Sequence, residues 1–258
     1  MKVFNKNRKE QIIEKQFIHY LKYAAGEIVL LVIGILLALQ VNNWNEDRVD
    51  RIKETEYLNY FKEDLQRQIV PFDELIGKNT DQIIKTEKLE EEFKQKGTFL
   101  DIDSMNLRLV KLLPTYDFPV INTTFQDVNS TGQINLIHNK LLRNQIIEYY
   151  QLNEDYSETI HHNITEVTFD QVFPVLSSCI LPEFSTFEFV EDSGKHHPFP
   201  ENLRDFVHNQ LGHEATAHRL MTAIGFKKLI AYRHRGLLED AKAKANNLLE
   251  AINQELAE

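Results

Sequence analysis

Histidines are the residues of this sequence that most strongly suggest a chemical role. The chain has 258 residues and ten histidines, and the run His213-Glu214-Ala215-Thr216-Ala217-His218 is close to the H-E-x-x-H helix of zinc proteases. Its two histidines are five residues apart, which puts them about 140° apart around a helix, too far to bind one ion. The adjacent pairs His161-His162 and His196-His197 diverge on a helix and alternate on a strand. We therefore predict no metal site.

Other catalytic signatures are missing from the sequence. Cys179 is the single cysteine, which excludes a disulfide framework and a cysteine metal cluster and indicates a structural thiol. The sequence contains no G-x-S-x-G motif, no glycine-rich phosphate loop and no dinucleotide fingerprint. The run Glu90-Glu91-Glu92 is interpreted as a solvated helix face. We predict a non-enzymatic protein with no cofactor.

The charge of the chain is divided unevenly along its length. The net charge is −10, yet residues 1–23 carry +4 and residues 42–258 carry −13, with Glu27 the one charged residue between them. Phosphate binding needs a basic face, so the acidic body argues against a nucleic-acid partner.

Residues 28–39 form an apolar run without a polar side chain. At about 1.5 Å per residue the run alone reaches roughly 18 Å, short of a membrane core of about 30 Å. A cleaved signal peptide, a buried core helix and a membrane anchor with polar residues at its ends are the three interpretations. The segment that follows, Gln40-Val41-Asn42-Asn43-Trp44, is a poor cleavage site, and a buried helix leaves the preceding cations unexplained.

Aromatic residues at both ends favour the anchor. Tyr20 and Tyr23 precede the run and Trp44 follows it, and a helix from Tyr23 to Trp44 is about 32 Å long, which places rings at both membrane interfaces. The positive-inside rule keeps the basic end in the cytoplasm, so we predict that the acidic body is exported across the membrane. The predicted parts are a short basic tail, a transmembrane helix and an extracytoplasmic helical domain, at residues 1–22, 23–44 and 45–258.

Small residues in the anchor predict a surface for helix packing. Gly34 and Ala38 form a small-x-x-x-small pair, and Gly26 lies eight residues before Gly34 on nearly the same face. Glu27 lies about one turn inside the apolar boundary, where an ionisable group is a functional candidate. It either contacts a partner helix or reaches the interface by snorkelling.

Two segments resemble a known family. The stretch 25–46, which reads A-G-E-I-V-L-L-V-I-G-I-L-L-A-L-Q-V-N-N-W-N-E, resembles the anchor of a family of single-pass proteins from bacteroidete bacteria catalogued as domain of unknown function 6090. The stretch 129–137 and the helix that ends in Tyr149-Tyr150 are similar to a turn and helix of that family. The resemblance implies a bacterial envelope location and a helical body, which makes the expected product an inner-membrane protein with a periplasmic body. It transfers no activity.

The body is predicted to be all-α, with the transmembrane helix continuing into an antiparallel bundle of long helices. Nine glycines and seven prolines are few for a fold rich in turns. One apolar face recurs at three- and four-residue steps, at Leu58, Phe61, Leu65, Ile69, Phe72 and Ile76. Pro71 is predicted to kink or break this helix, and Gly97 to end it.

Shorter helices are predicted from their capping residues. Asp103 or Ser104 caps the first, Thr123 or Thr124 the second, and Asn139 a long helix that runs toward Pro174. Residues 181–200 are predicted to be an ordered loop with a short strand pair at 186–191.

The last fifty residues contain a heptad seam. Its apolar members are Leu220, Ile224, Ala231, Leu238, Ala241, Ala245, Leu248 and Ile252. Lys227 and His234 fall in the same register and weaken it. The seam packs either against the chain's own helices or against another copy.

The leading hypothesis is a membrane-anchored protein-interaction or scaffold subunit whose partners are the lipid bilayer and an envelope protein or a second copy of the chain. One alternative is a periplasmic ligand-binding or sensing module that acts through a partner. The other is an envelope hydrolase with dispersed catalytic residues.

Overall fold

The computed structural model describes the backbone of residues 4–182 and 199–257, and the side chains of residues 21, 23–182 and 199–257. All regular structure in these residues is helical, so the predicted all-α class is confirmed for them. The predicted strand pair at 186–191 lies outside the described residues. In chain order the elements are α1 (Phe4–Lys96), α2 (Met105–Val110), α3 (Thr123–Ser130), a 3-10 helix (Gln133–Leu136), α4 (Lys140–His162), a π-helix (Asn163–Val172), α5 (Phe173–Ser177), α6 (Glu201–Gln210) and α7 (Glu214–Glu255).

The chain divides into two compact units, Met1–Glu56 and Tyr57–Glu258. The first unit contains α1 up to Glu56, and most of its described side chains are exposed. The second unit contains the remainder of α1 and all of the other helices. The predicted boundary between anchor and extracytoplasmic domain, at 44–45, stays a prediction.

Side-chain contacts in the second unit fix the direction of α7 against α4. Asn139, just before α4, donates a hydrogen bond to Glu255 at the end of α7. Near the other end of α4 the Tyr156 hydroxyl donates to Asp240 at 2.6 Å. Later residues of α4 thus meet earlier residues of α7, so the two helices run in opposite directions.

Two ion pairs fix α7 against α1 in the same way. Lys242 pairs with Asp73, and Lys228 pairs with Glu90. α7 is therefore antiparallel to α1 as well as to α4, and α1 and α4 run parallel to each other in this unit. The predicted arrangement of the whole body as an antiparallel bundle stays a prediction.

The second unit has two hydrophobic cores. The first core joins α1, α4 and α7, and its largest members include Phe61, Phe72, Ile146, Tyr150 and Leu238. The second core joins the end of α1 to α2, α5 and the beginning of α7, and it includes Leu89, Phe99, Leu109, Leu176 and Leu220. The apolar face predicted for α1 forms one wall of the first core, which confirms the periodicity argument for this helix.

Pro71 does not break α1, so the predicted break is wrong, and the alternative of a kink stays a prediction. The helix includes this residue and continues to Lys96. A proline inside a helix removes one backbone hydrogen bond and costs about 3 kcal/mol. Gln68 and Phe72, on either side of Pro71, are both fully buried in the second unit. Tertiary packing on both sides of the proline therefore holds a helix that local propensity would interrupt.

Local capping signals correctly predict two helix ends. α1 ends at Lys96, and Gly97 follows with φ 74° while its N–H donates to the Phe93 carbonyl at 2.8 Å. The side chain of Asn139 accepts hydrogen bonds from the N–H groups of Leu141 and Leu142 at the start of α4. Both predictions are confirmed because glycine tolerates positive φ and asparagine supplies an acceptor at the N-cap.

The cap predicted for α3 is wrong. Thr123 and Thr124 lie inside this helix, and Asn122 precedes it without a capping side-chain bond. The carboxylate of Asp64 on α1 instead accepts from the Thr124 N–H at 3.3 Å. For α2 the predicted residue Ser104 does occupy the N-cap, but its side chain makes no capping bond.

The interpretation of Glu90-Glu91-Glu92 as one solvated face is also wrong in part. Glu91 is exposed, but Glu90 pairs with Lys228 on α7 and Glu92 accepts from Arg108 on α2 at 2.6 Å. The Arg108 guanidinium lowers the pKa of the Glu92 carboxyl by this hydrogen bond. Two of the three carboxylates thus join helices of the second unit.

Candidate functional site

The apolar run of α1 is exposed along its length. The described residues contain one helix that is long and apolar enough to cross a membrane, and its most apolar window has no buried side chain. Within it Leu30 is 70% exposed and Leu37 is 57% exposed. Exposed apolar surface of this extent is stable in hydrocarbon rather than in water, so these residues have the physical character of a membrane span.

The predicted helix-packing residues lie open on this helix. Glu27 and Ala38 are exposed, and an added Cβ at Gly26 or Gly34 would meet no described atom within 4 Å. The surface is therefore free to accept a second helix at close range. That a partner helix binds there stays a prediction.

The interface anchors are placed only in part. Tyr23 and Trp44 are both exposed, one on each side of the apolar run. The side chain of Tyr20 lies outside the described residues. The length of α1 between Tyr23 and Trp44 matches the thickness of a membrane core, as the aromatic-belt argument expects.

The predicted seam of α7 lies inside the second unit, and all eight of its apolar members are buried. Leu220 and Ile224 belong to the second core. Five further members belong to the first core, namely Leu238, Ala241, Ala245, Leu248 and Ile252. Ala231 lies between the two cores and lines a small cavity. The chain's own helices therefore cover this seam.

The two polar seam residues are buried as well. Lys227 is 5% exposed, and its ammonium donates to the Pro114 carbonyl at 2.8 Å. His234 is 4% exposed, and Nδ2 of Asn163 at the start of the π-helix lies 3.3 Å from its Nε2. Since the amide can only donate there, Nε2 is the acceptor and the imidazole is neutral.

Burial shifts the protonation of both groups. Burial lowers the pKa of Lys227 to about 8. Burial, and after it the charge of Lys227, lowers the pKa of His234 to about 4, against a smaller opposing effect of Asp117. Desolvation penalises the charged form of a base, so both shifts have the expected sign.

Polar residues of α1 and the π-helix complete this cluster. Gln82 donates to the Lys111 carbonyl at 3.0 Å, but its Oε1 has no partner among the described residues, and neither does Oγ1 of Thr168. Asn79, Gln82 and Thr168 line the same cavity as Lys227 and His234. The register of the apolar face of α1 continues beyond Ile76, but some of its buried positions are polar. Polar residues in the register of the core are the sequence signal that could have identified Asn79 and Gln82.

The cluster is too tight for chemistry on an organic molecule. Its cavity is about 20 Å³, the volume of a single water molecule. A buried lysine with a lowered pKa can serve as a nucleophile, but no substrate carbonyl fits beside Lys227. This buried polar cluster therefore affects the stability of the second unit.

The other candidate side chains do not come together. No group of three or more His, Cys, Asp or Glu side chains in the described part of the chain is placed to hold a metal ion. His213 has an extended backbone at the N-cap of α7, so it is not on the helix that carries His218. Cys179 is a buried free thiol in the second core. His196 and His197 lie outside the described residues.

A comparison with protein-family models identifies the family of the chain. The model of the family of unknown function DUF6090 matches residues 27–185, which is more than half of the chain. No curated protein and no solved structure matches the chain.

Proposed function

We propose that this chain, which belongs to the family of unknown function DUF6090, is a single-pass protein of a bacterial inner membrane. It acts there as a non-enzymatic interaction or scaffold subunit. Residues 23–44 cross the membrane, residues 1–22 remain in the cytoplasm, and residues 45–258 lie in the periplasm. Its partner is another envelope protein or a second copy of the chain.

The exposed apolar run of α1 is the observation that supports this proposal. Leucine and isoleucine side chains from Ile28 to Leu39 are more than two-fifths exposed in a chain whose second unit has cores of its own. The run is bordered by a basic segment and an acidic one. The positive-inside rule assigns the basic side to the cytoplasm.

The interaction surface follows from what the fold already uses. Because the seam of α7 is covered within the second unit, it does not provide a surface for another protein without unfolding. The stripe of Gly26, Gly34 and Ala38 is open. In hydrocarbon, close approach of backbones across small residues is a main source of helix association. The anchor therefore supplies both the attachment and the contact.

The orientation is tested with single cysteines. In a Cys179→Ala background, Glu91→Cys places a thiol on an exposed position of the second unit, and Asn5→Cys places one in the tail. A membrane-impermeant maleimide added to spheroplasts labels the first and spares the second until the membrane is permeabilised. Labelling of Asn5→Cys alone would contradict the orientation.

The contact is tested by extraction in lipid discs and measurement of the mass and composition of the complex. Gly34→Leu fills the stripe, and Ala25→Leu is a matched small-to-large control about 180° from Gly34 around the helix. We expect wild type and Ala25→Leu to retain a stoichiometric second protein or copy, and Gly34→Leu to lose it. A monomeric wild-type chain would overturn the interaction role.

A further inference from the structure

A pocket of about 470 Å³ opens in the second unit between α1, α3 and α4. Its volume lies within the range of small-molecule sites, roughly 300–1,000 Å³. Gln68 of α1, Phe125 of α3 and Asn153 of α4 each form part of its wall. All of its lining residues lie in the second unit, and none of them lines the small cavity beside Lys227.

Three polar atoms of the pocket residues have no partner. Asn153 is 4% exposed and Tyr150 is 5% exposed, and neither Nδ2 nor Oδ1 of Asn153, nor the Tyr150 hydroxyl, is hydrogen-bonded to a described atom. By contrast Gln68 is satisfied, since it donates to the Pro119 carbonyl at 2.8 Å and accepts from the Tyr149 hydroxyl at 3.0 Å. Buried polar groups in native proteins are almost always paired, so a whole unpaired carboxamide indicates a partner from outside the chain.

The surrounding contacts hold these groups in place. The ring of Tyr150 stacks on Phe125 with centroids 4.6 Å apart and planes at 7°. It also lies against Phe61 of α1 at 5.8 Å. The bond from the Thr124 N–H to Asp64 fixes the beginning of α3 to α1. A preorganised wall of this kind reduces the entropy lost when a ligand binds.

The Tyr150 hydroxyl remains protonated. Burial raises its pKa well above the usual range, and Tyr149 and Asp64 raise it further. Burial raises the pKa of Tyr149 to about 12, and the Asn153 amide, one turn away on α4, acts against this rise. Asn153 nevertheless forms no hydrogen bond with a described atom. The Tyr150 hydroxyl can therefore donate to a ligand or accept from it.

Charge at the rim limits the kind of ligand. Glu154 and Glu158 line the pocket, and none of its described lining residues is basic. An anion would meet two carboxylates and no cation. Both glutamates are exposed, as is Gln126 on the facing helix.

We propose that this pocket binds a small neutral or cationic molecule that presents a hydrogen-bond donor and an acceptor side by side to Asn153. The carboxamide offers a donor nitrogen and an acceptor oxygen, so a carboxylate or a guanidinium can satisfy only one of these two atoms. A pair of neighbouring hydroxyls, as in a sugar, satisfies both, and so does the edge of a primary amide. Tyr150 adds a third bond to the same ligand.

The test uses the full chain in lipid discs and calorimetric titration with three probes. Maltose supplies neighbouring hydroxyls, alanyl-lysinamide supplies a cationic primary amide, and alanyl-glutamate is the anionic control. We expect at least one of the first two to bind at millimolar concentration and alanyl-glutamate not to bind. Binding of maltose alone identifies a hydroxyl ligand, and binding of alanyl-lysinamide alone identifies an amide.

Variants separate the site from nonspecific binding. Asn153→Leu removes both orphan atoms and keeps the same branching of heavy atoms in the side chain. It should weaken binding by about tenfold or more, while raising the melting temperature of the unliganded protein. Tyr150→Phe removes one hydroxyl and should weaken binding less. Asn246→Leu is the matched control, because among the described residues this exposed asparagine bonds only to the Lys242 carbonyl in its own helix. If neither probe binds, if alanyl-glutamate binds equally well, or if both pocket variants bind like wild type, the proposal is overturned.

Discussion

Replacing Lys227 by methionine should stabilise the second unit at neutral pH. Among the described residues the buried lysine has no carboxylate partner, and its one hydrogen bond is to the Pro114 carbonyl. Burial lowers its pKa from 10.5 to about 8. Since one pKa unit corresponds to about 1.4 kcal/mol, keeping this group charged in the folded state costs about 3 kcal/mol. The lost hydrogen bond offsets about 1 kcal/mol, which leaves a net gain of about 2 kcal/mol.

The sign of the pH dependence follows from proton binding. Between pH 8 and 10.5 the unfolded chain keeps the proton on Lys227 while the folded chain releases it. Stability rises with pH wherever the unfolded state binds more protons. The penalty is therefore full below pH 8 and is relieved as the pH rises through this window. From pH 7 to pH 9.5 the wild-type protein should gain about 2 kcal/mol from this residue.

The assay is urea denaturation of the full chain in lipid discs at pH 7 and pH 9.5, followed by circular dichroism at 222 nm. Staying below pH 10 limits the opposite effect of Tyr149, whose raised pKa lowers stability once the unfolded chain ionises. Lys227→Met should abolish most of the pH-dependent gain. Lys244→Met, on the same helix, should leave that gain in place.

Two results would refute the reasoning. One is a loss of stability in Lys227→Met at pH 7, which would mean that the ammonium is paired more strongly than its single carbonyl contact allows. The other is a wild-type protein with the same stability at pH 7 and pH 9.5, which would mean that Lys227 is solvated in the folded state.

Three further changes have defined outcomes. Acidification from pH 6.5 to pH 4 should destabilise the chain by about 3 kcal/mol through His234. The pKa of His234 is about 4 in the folded state, so in this pH range the unfolded state binds the extra proton. His234→Phe should flatten this part of the pH dependence of stability measured by urea denaturation. Asn139→Ala should cost about 1 kcal/mol by removing the cap of α4, and equal stability to wild type would show that the cap contributes nothing. Gly97→Ala should cost about 1 kcal/mol in the same assay because φ is 74° there, whereas Gly225→Ala, inside α7, should not destabilise.

Local signals in the sequence were sufficient where the partner of a group is a near neighbour. Asn139 and the N–H groups that it caps lie within three residues, and Gly97 ends α1 through its own backbone. The beginning of α3 depends on Asp64, sixty residues earlier in the chain. A propensity argument has no access to such a contact, so it assigned the cap to Thr123 or Thr124.

The periodicity of α1 shows the same limit for burial. Steps of three and four predict its buried face, and the same register continues through four polar residues that are all buried. They are Gln68, Asn79, Gln82 and Thr86. The period shows that these residues face the core, but the carbonyls that accept from Gln68 and Gln82 come from distant loops. Which polar atoms remain unpaired therefore becomes visible only in the folded chain.

The seam of α7 shows why periodicity alone does not identify a binding surface. A heptad stripe predicts that a face is covered, and self-association and intramolecular packing satisfy that prediction equally. Here the two cores cover seven of the eight apolar positions, and Ala231 is buried between them. The Pro114 carbonyl contacts Lys227 and the Asn163 amide contacts His234. A surface made for a partner should instead be open in the single chain and unsatisfied there. The anchor stripe is open and the pocket beside Asn153 is unsatisfied, which is why the two proposals rest on them rather than on the more regular pattern.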